Sequence, residues 1–167
     1  MSQEILEAFK KYFEIVPALS EELKNEVYKL RFQVYCKETD FEDPLKHQDG
    51  LEYDEFDNRS IHYLIRHRHT NSYAATTRLI LPDQNNPDKP FPIELHSTID
   101  NVEPLNNVPR NKLAEVSRFC VSKDFKRRKY DKVDSLTGIH EESIKLITED
   151  EKRTFPHITI ALIACQI

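Results

Sequence analysis

Three charged residues fall where a strand ought to be apolar: Arg78 interrupts AATTRLIL, and Glu115 and Arg118 interrupt LAEVSRFCV. Burying a charge without a partner is costly, so a fold that accepts these residues must pair them. In a regular strand Glu115 and Arg118 face opposite sides, and a shared site therefore requires a bulge between them. Surface charge on an edge strand is the alternative reading. Candidate partners precede the first strand-like run as E-x-D-x-x-D, formed by Glu52, Asp54 and Asp57. Carboxylates facing arginines make a polar pocket suited to a zwitterionic or amine-bearing substrate. A solvated acidic loop or a helix cap has the same spacing, whereas a calcium loop lacks the glycine and distal glutamate it needs.

Other chemistries find less support. His67 and His69 could share a strand face, but no carboxylate or cysteine stands at a ligand-like spacing, and no metal site is expected. No G-x-S-x-G elbow accompanies Ser117. Only Gly50 and Gly138 are present, which excludes the P-loop and the G-x-G-x-x-G fingerprint. Cys36, Cys120 and Cys165 are odd in number and widely spaced, and read as small buried hydrophobes rather than disulfide or zinc partners.

The elements that must position these side chains follow from periodicity. Ile5, Phe9, Tyr12, Phe13 and Val16 at helical spacing predict a helix over residues 3 to 16. Ser20 before Glu21 and Glu22 predicts the N-cap of a second helix running to about Cys36. Leu23, Val27, Leu30 and Val34 form its core stripe, and Arg31 sits beside it, between that stripe and the pair Tyr28 and Tyr35. Residues 38 to 57 hold nine acidic side chains against one lysine and predict a long acidic loop. Ile61 to Arg66 and Tyr73 to Leu81, split by HRHTNS, predict a hairpin. Six prolines in residues 82 to 111 predict an extended loop, and Leu113 to Val121 a third strand. After a basic cluster and a polar stretch, ITIALIACQI follows Pro156 as the first turns of a buried helix, with a C-terminal strand as the alternative. That abrupt apolar ending suggests a truncated chain.

At 167 residues, 38% hydrophobic and 10% aromatic, the chain fits a single domain with a real core. A net charge of -5 argues against nucleic-acid binding, which needs a basic footprint. The charged N-terminus is unlike a signal peptide, and no apolar run approaches the ~20 residues of a membrane span. A cytoplasmic location is expected.

Taken in order, R-x-x-V-Y near the end of the second helix, E-x-D-x-x-D, a strand, T-R-L and E-V-S-R resemble the acyl-homoserine-lactone (autoinducer) synthases. The stretches LRFQVYCKE, LEYDEFDNRSIHYLIRHR, ATTRLILP, PFPIEL and AEVSRFCVSKDFKRR are more similar still to acyltransferases associated with PEP-CTERM and exosortase systems. The resemblance runs from about residue 23 to 129, and the ordered set of motifs is more specific than any one of them.

This resemblance implies a GNAT-like α/β fold, a mixed and mainly antiparallel sheet flanked by helices. It implies transfer of a fatty acyl group from a thioester, on acyl carrier protein or coenzyme A, to the amine of an amino acid or related small molecule. Arg31, Tyr35, Glu52, Asp54, Asp57, Arg78, Glu115 and Arg118 then occupy the family's charged or aromatic pocket positions. Tyr35 and Phe41 line the amine pocket or order its loop, while Arg78 and Arg118 pair with the acidic loop. Because an amine attacks only when neutral, a carboxylate must take its proton, with Glu115 the first candidate and Asp54 the second. The glycine-rich pyrophosphate loop of coenzyme-A-using relatives is replaced by SKDFKRRKYDK. There Lys126, Arg127 and Arg128 are candidates for a phosphopantetheine phosphate or an acidic carrier protein, with a solvated basic turn as the alternative. Carrier protein is the preferred donor, and no tightly bound cofactor is expected. A non-catalytic acyl-thioester or small-molecule binding module on the same fold is the rival function.

Overall fold

A computed structural model describes residues 3–100, 107–126 and 156–164. Four strands form one antiparallel sheet in the order β1 (Phe13–Pro17), β2 (Ser60–His67), β3 (Tyr73–Ile80) and β4 (Glu115–Val121). Helices lie on both faces, so the fold is the mixed α/β, mainly antiparallel arrangement expected.

Helix α1 spans only Gln3–Tyr12, and the chain continues as β1 rather than as helix to residue 16. The reason lies in the pairing: Phe13–Pro17 aligns antiparallel with His67 to Tyr63, and β-branched Ile15 and Val16 suit that pleated edge. Helix α2 (Glu21–Phe32) starts where expected, with the Ser20 side chain accepting from Leu23 N–H and Glu21 and Glu22 in the first turn. It runs on as a π-helical turn, Gln33–Glu38, which keeps Val34 and Cys36 buried.

Strand alternation assigns the two faces of the sheet. Leu64 and Cys120 pack against Val27, Leu30 and Val34 of α2 and its continuation. On the other face Phe13, Ile65, Ala75 and Val121 pack against Phe9 of α1. Ile158, Ala161 and Leu162 of α4 (Pro156–Ala164) complete that layer, so the apolar segment after Pro156 is a buried helix. The β2–β3 hairpin closes where HRHTNS predicts, with His67 N–H donating to Ser72 C=O at 2.9 Å. Among the described residues, the long loop before β4 carries a short helix, α3 (Pro92–His96), and a 3-10 turn at Arg110–Lys112.

The pairing of β3 with β4 is interrupted. Thr76 aligns with Cys120 and Arg78 with Ser117, so Arg118 and Phe119 together oppose Thr77. This is a β-bulge, and Arg118 at its centre has a φ of 49°, in the left-handed region. A third feature lies along the same strand: among the described residues, β4 has no strand partner on its outer edge.

Candidate active site

The α2 face of the sheet carries a compact ionic network. Arg31, near the end of α2, is fully buried; its Nε donates to Glu52 Oε2 and its Nη1 to Asp57 Oδ1, the latter at 2.7 Å. Arg78, at the end of β3 and 1% exposed, donates from Nη1 to Asp54 Oδ1 at 2.6 Å and Asp57 Oδ1 at 2.8 Å. Its Nε donates to Ser117 Oγ at 3.0 Å, the residue directly opposite on β4. Arg118 reaches Glu52 Oε1 at 3.0 Å, Asp54 Oδ2 at 3.3 Å and Glu42 Oε1 at 3.4 Å. The bulge makes this possible: strand alternation alone would turn Arg118 away from Ser117's face, and the left-handed backbone turns it back.

The acidic segment is folded onto these arginines by its own hydrogen bonds. Asp54 caps the 3-10 turn Glu55–Arg59 by accepting from Phe56 N–H, and Asp57 Oδ2 accepts from Asp54 N–H at 2.7 Å. This reciprocal capping box points both carboxylates inward. Glu52 N–H donates to Tyr28 C=O, which fastens the segment to α2. Surface charge therefore fails as a reading of Arg78, and a solvated loop fails for Glu52 and Asp57, which are buried.

Burial opposes the charge on Arg31, but the Glu52 hydrogen bond and the Asp57 and Glu52 carboxylates outweigh it and hold the guanidinium above its ordinary range. Burial likewise raises Asp57, yet Arg31 and Arg78, with the Asp54 N–H, bring its carboxyl below the ordinary value. His62 completes the layer on β2, aligned with Arg78, its Nε2 3.7 Å from Asp57 Oδ1. Burial, opposed by Asp57 but reinforced by Arg31 and Arg78, lowers it to about 4, so it is neutral at pH 7. Among the described residues, neither of its ring nitrogens has a hydrogen-bond partner, nor does Arg31 Nη2.

The network has a buried base and a partly exposed mouth. Arg31, Glu52, Asp57 and Arg78 form the base. Asp54, Arg118 and Glu42 keep 22–26% of their side chains exposed. Tyr35 lies beneath the Arg118 guanidinium, 5.7 Å from its ring centroid, and burial raises its hydroxyl pKa. Phe41 packs on Tyr35 with ring centroids 5.7 Å apart and is 69% exposed. Both backbone N–H groups of Phe41 and Glu42 donate to Tyr35 C=O, closing the loop over that ring.

Glu115 lies outside this network. It shares a strand face with Ser117, two residues and about 7 Å along β4, and its Oε2 accepts from Ile93 N–H at 2.9 Å. It faces a cavity instead of the arginines. Lys126 is exposed on the turn that follows β4, where Ser122 caps Lys123–Phe125 and Lys123 N–H donates to Glu38. Arg127, Arg128 and Cys165 lie outside the described residues. His62, Ser117 and Glu42 were not expected in the site. Only the strand register, which aligns His62, Arg78 and Ser117 in one row, identifies the first two.

An antiparallel sheet whose bulged strand carries an arginine back to a buried ionic cluster defines an α/β protein with a preorganised polar network. The family model of the acetyltransferase (GNAT) domain matches residues 30–133, a span that includes every charged residue of the ionic network. The chain belongs to the GNAT acetyltransferase family, which assigns it to acyl or acetyl transfer, in general from acyl-CoA to an amine. No curated protein and no solved structure gives a match. Among the described residues, no helix is long and apolar enough to cross a membrane.

Proposed function

We propose that the protein is an N-acyltransferase that moves a fatty acyl group from a thioester, on acyl carrier protein or coenzyme A, to the amine of an amino acid or related small molecule. The type is that of the exosortase-associated acyltransferases and autoinducer synthases, and it works in the cytoplasm. The observation that carries the reading is the bulge at Arg118, which joins β4 to the acidic segment and sets Glu115, Ser117 and Arg118 along one strand.

In this reading the buried residues Arg31, Glu52, Asp57 and Arg78 hold the shape of the site. The partly exposed Asp54, Arg118, Tyr35 and Phe41 meet the acceptor. Glu115 is the general base, with Asp54 second. It takes a proton from the neutral amine as nitrogen adds to the thioester carbonyl. Strand N–H groups stabilise the resulting oxyanion. Collapse forms the C–N bond, breaks the C–S bond and returns the proton to the departing thiolate. Lys126, with Arg127 and Arg128, binds the phosphopantetheine phosphate or the carrier protein's acidic surface.

Purified protein given acyl carrier protein or coenzyme A thioesters and mixed amino acids should release thiol and form N-acyl amino acids. A folded protein that binds acyl thioesters without releasing thiol would instead be the binding module.

A further inference from the structure

Glu115 Oε2 accepts from Ile93 N–H at 2.9 Å, and Ile93 is 48% exposed, so water competes for both ends of this bond. The bond lasts only where its two ends are held. Its donor end belongs to α3, a helix of five residues, far below the ~12–15 that sustain a helix alone. Ile93 is the second helical residue, where an N–H has no partner within the helix and is free to serve another group.

So short a helix must take its shape from caps and tertiary bonds. Pro92 fixes its first position, and Glu94 Oε2 turns back to accept from Phe91 N–H at 2.7 Å. Glu94 is in turn gripped by Arg110, whose Nη1 donates to Oε1 at 2.7 Å and whose Nη2 donates to Oε2 at 2.5 Å. Arg110 also donates to the carbonyls of Pro87 and Lys89, at 3.3 and 3.2 Å. Its guanidinium lies 4.4 Å from the Phe91 ring centroid and that of Arg59 lies 5.3 Å from it, so two cations pack on the buried residue that opens α3. Arg110 itself stands in the 3-10 turn that leads into β4, a few residues before Glu115. One side chain therefore ties the helix carrying the donor to the strand carrying the acceptor.

We propose that Arg110 and Glu94 are positioning residues for Glu115: they fix α3 so that Ile93 N–H holds one oxygen of the carboxylate and leaves the other for the attacking amine. The proposal rests on the acyl-transfer reading above, with Glu115 as base. Both residues act through Glu115, so their loss weakens the transition state and spares binding of the thioester. A base displaced by ~1 Å costs on the order of 100-fold in rate.

Two measurements on the full chain test this. The first follows thiol release from octanoyl-coenzyme A, with an amino-acid mixture as acceptor, in the wild type, Arg110→Ala, Glu94→Ala, Glu115→Ala and the double variant of Arg110 and Glu115. Both altered side chains of the clamp are partly exposed, and circular dichroism confirms folding. Arg110→Ala and Glu94→Ala should each lower kcat about 10–100-fold with KM for the thioester unchanged. In the Glu115→Ala background the Arg110 substitution should cost nothing further, which a general structural role would not produce. The second measures hydrogen exchange at the Ile93 amide by NMR and needs no turnover. Protection present in the wild type should be lost in Glu115→Ala and equally in Arg110→Ala and Glu94→Ala. Protection lost in the variants, with no thiol release even from the wild type, upholds the clamp while the acyl-transfer reading fails. Unchanged kcat or unchanged protection in a folded Arg110→Ala overturns the proposal and leaves that reading intact. Equal kcat losses with and without Glu115 also overturn it, as does an Ile93 amide unprotected in the wild type.

Discussion

Arg118 Nε donates to Glu52 Oε1 at 3.0 Å across 66 residues of chain, and does so from a backbone φ of 49°. A non-glycine residue in that region is strained, so the ion pair and the bulge hold each other in place. Replacing Arg118 by glycine removes the pair and the strain; replacing it by alanine removes the pair alone. Arg118→Ala should therefore be less stable than Arg118→Gly by about 1 kcal/mol in urea denaturation. Equal stabilities would mean the left-handed conformation is not maintained.

Arg31 joins α2 to both Glu52 and Asp57 with no exposed surface. Arg31→Met keeps the bulk but strips two buried carboxylates of a partner, and should cost about 3–5 kcal/mol. Arg31→Lys should recover only part of this, because one ammonium cannot reproduce guanidinium bonds made from Nε and Nη1. Equilibrium unfolding in guanidinium chloride checks both; full rescue by lysine would show that charge alone matters.

His62 is lowered from 6.5 to about 4 by burial, so between those values the unfolded chain holds a proton that the folded chain does not. Stability is then complete above pH 6.5 and falls as pH drops toward 4, by about 1.4 kcal/mol per unit. Asp57, lowered from 3.8, adds a separate loss only at pH below 3.8, as its folded carboxyl takes a proton. Urea titrations at pH 7, 6 and 5 should show the first slope, and His62→Gln should flatten it. A slope unchanged in that variant would assign it to other groups.

Leu162 of α4 is fully buried against the face that holds Phe9 and Phe13. Leu162→Ala should cost about 2–5 kcal/mol through the cavity it leaves. A loss below about 0.5 kcal/mol, the range of surface positions, would mean that α4 is not part of this core.

How much of this was legible in the sequence depended on range. Ser20, the α2 stripe and the β2–β3 hairpin are local patterns, and the structure follows them. Strand β1 was hidden because Phe13 and Val16 also continue the helical spacing of Ile5 and Phe9, and five residues do not separate the two periods. Arg78, Arg118 and the E-x-D-x-x-D carboxylates stood out because charges in apolar strands require partners. Their pairing was expected, but which oxygen meets which nitrogen depends on the bulge, and no local pattern in AEVSRFCV encodes a positive φ at Arg118. His62 joined the site only through strand register, and the cavity only through a proline-rich loop that carries no periodicity. The roles of Lys126, Arg127 and Arg128 still rest on composition.

The most direct test of acyl transfer with Glu115 as base is mass spectrometry of lipid extracts from cells expressing the wild type or Glu115→Ala. Loss of a general base typically costs about 10²–10⁴ in rate, and Glu115 is a partly exposed residue outside the ionic network, so the variant should stay folded. The account predicts new N-acyl amines with the wild type and near-complete loss of them with the variant. Equal amounts from both would remove Glu115 from the chemistry, and none from either, with the protein folded and donors present, would contradict acyl transfer itself.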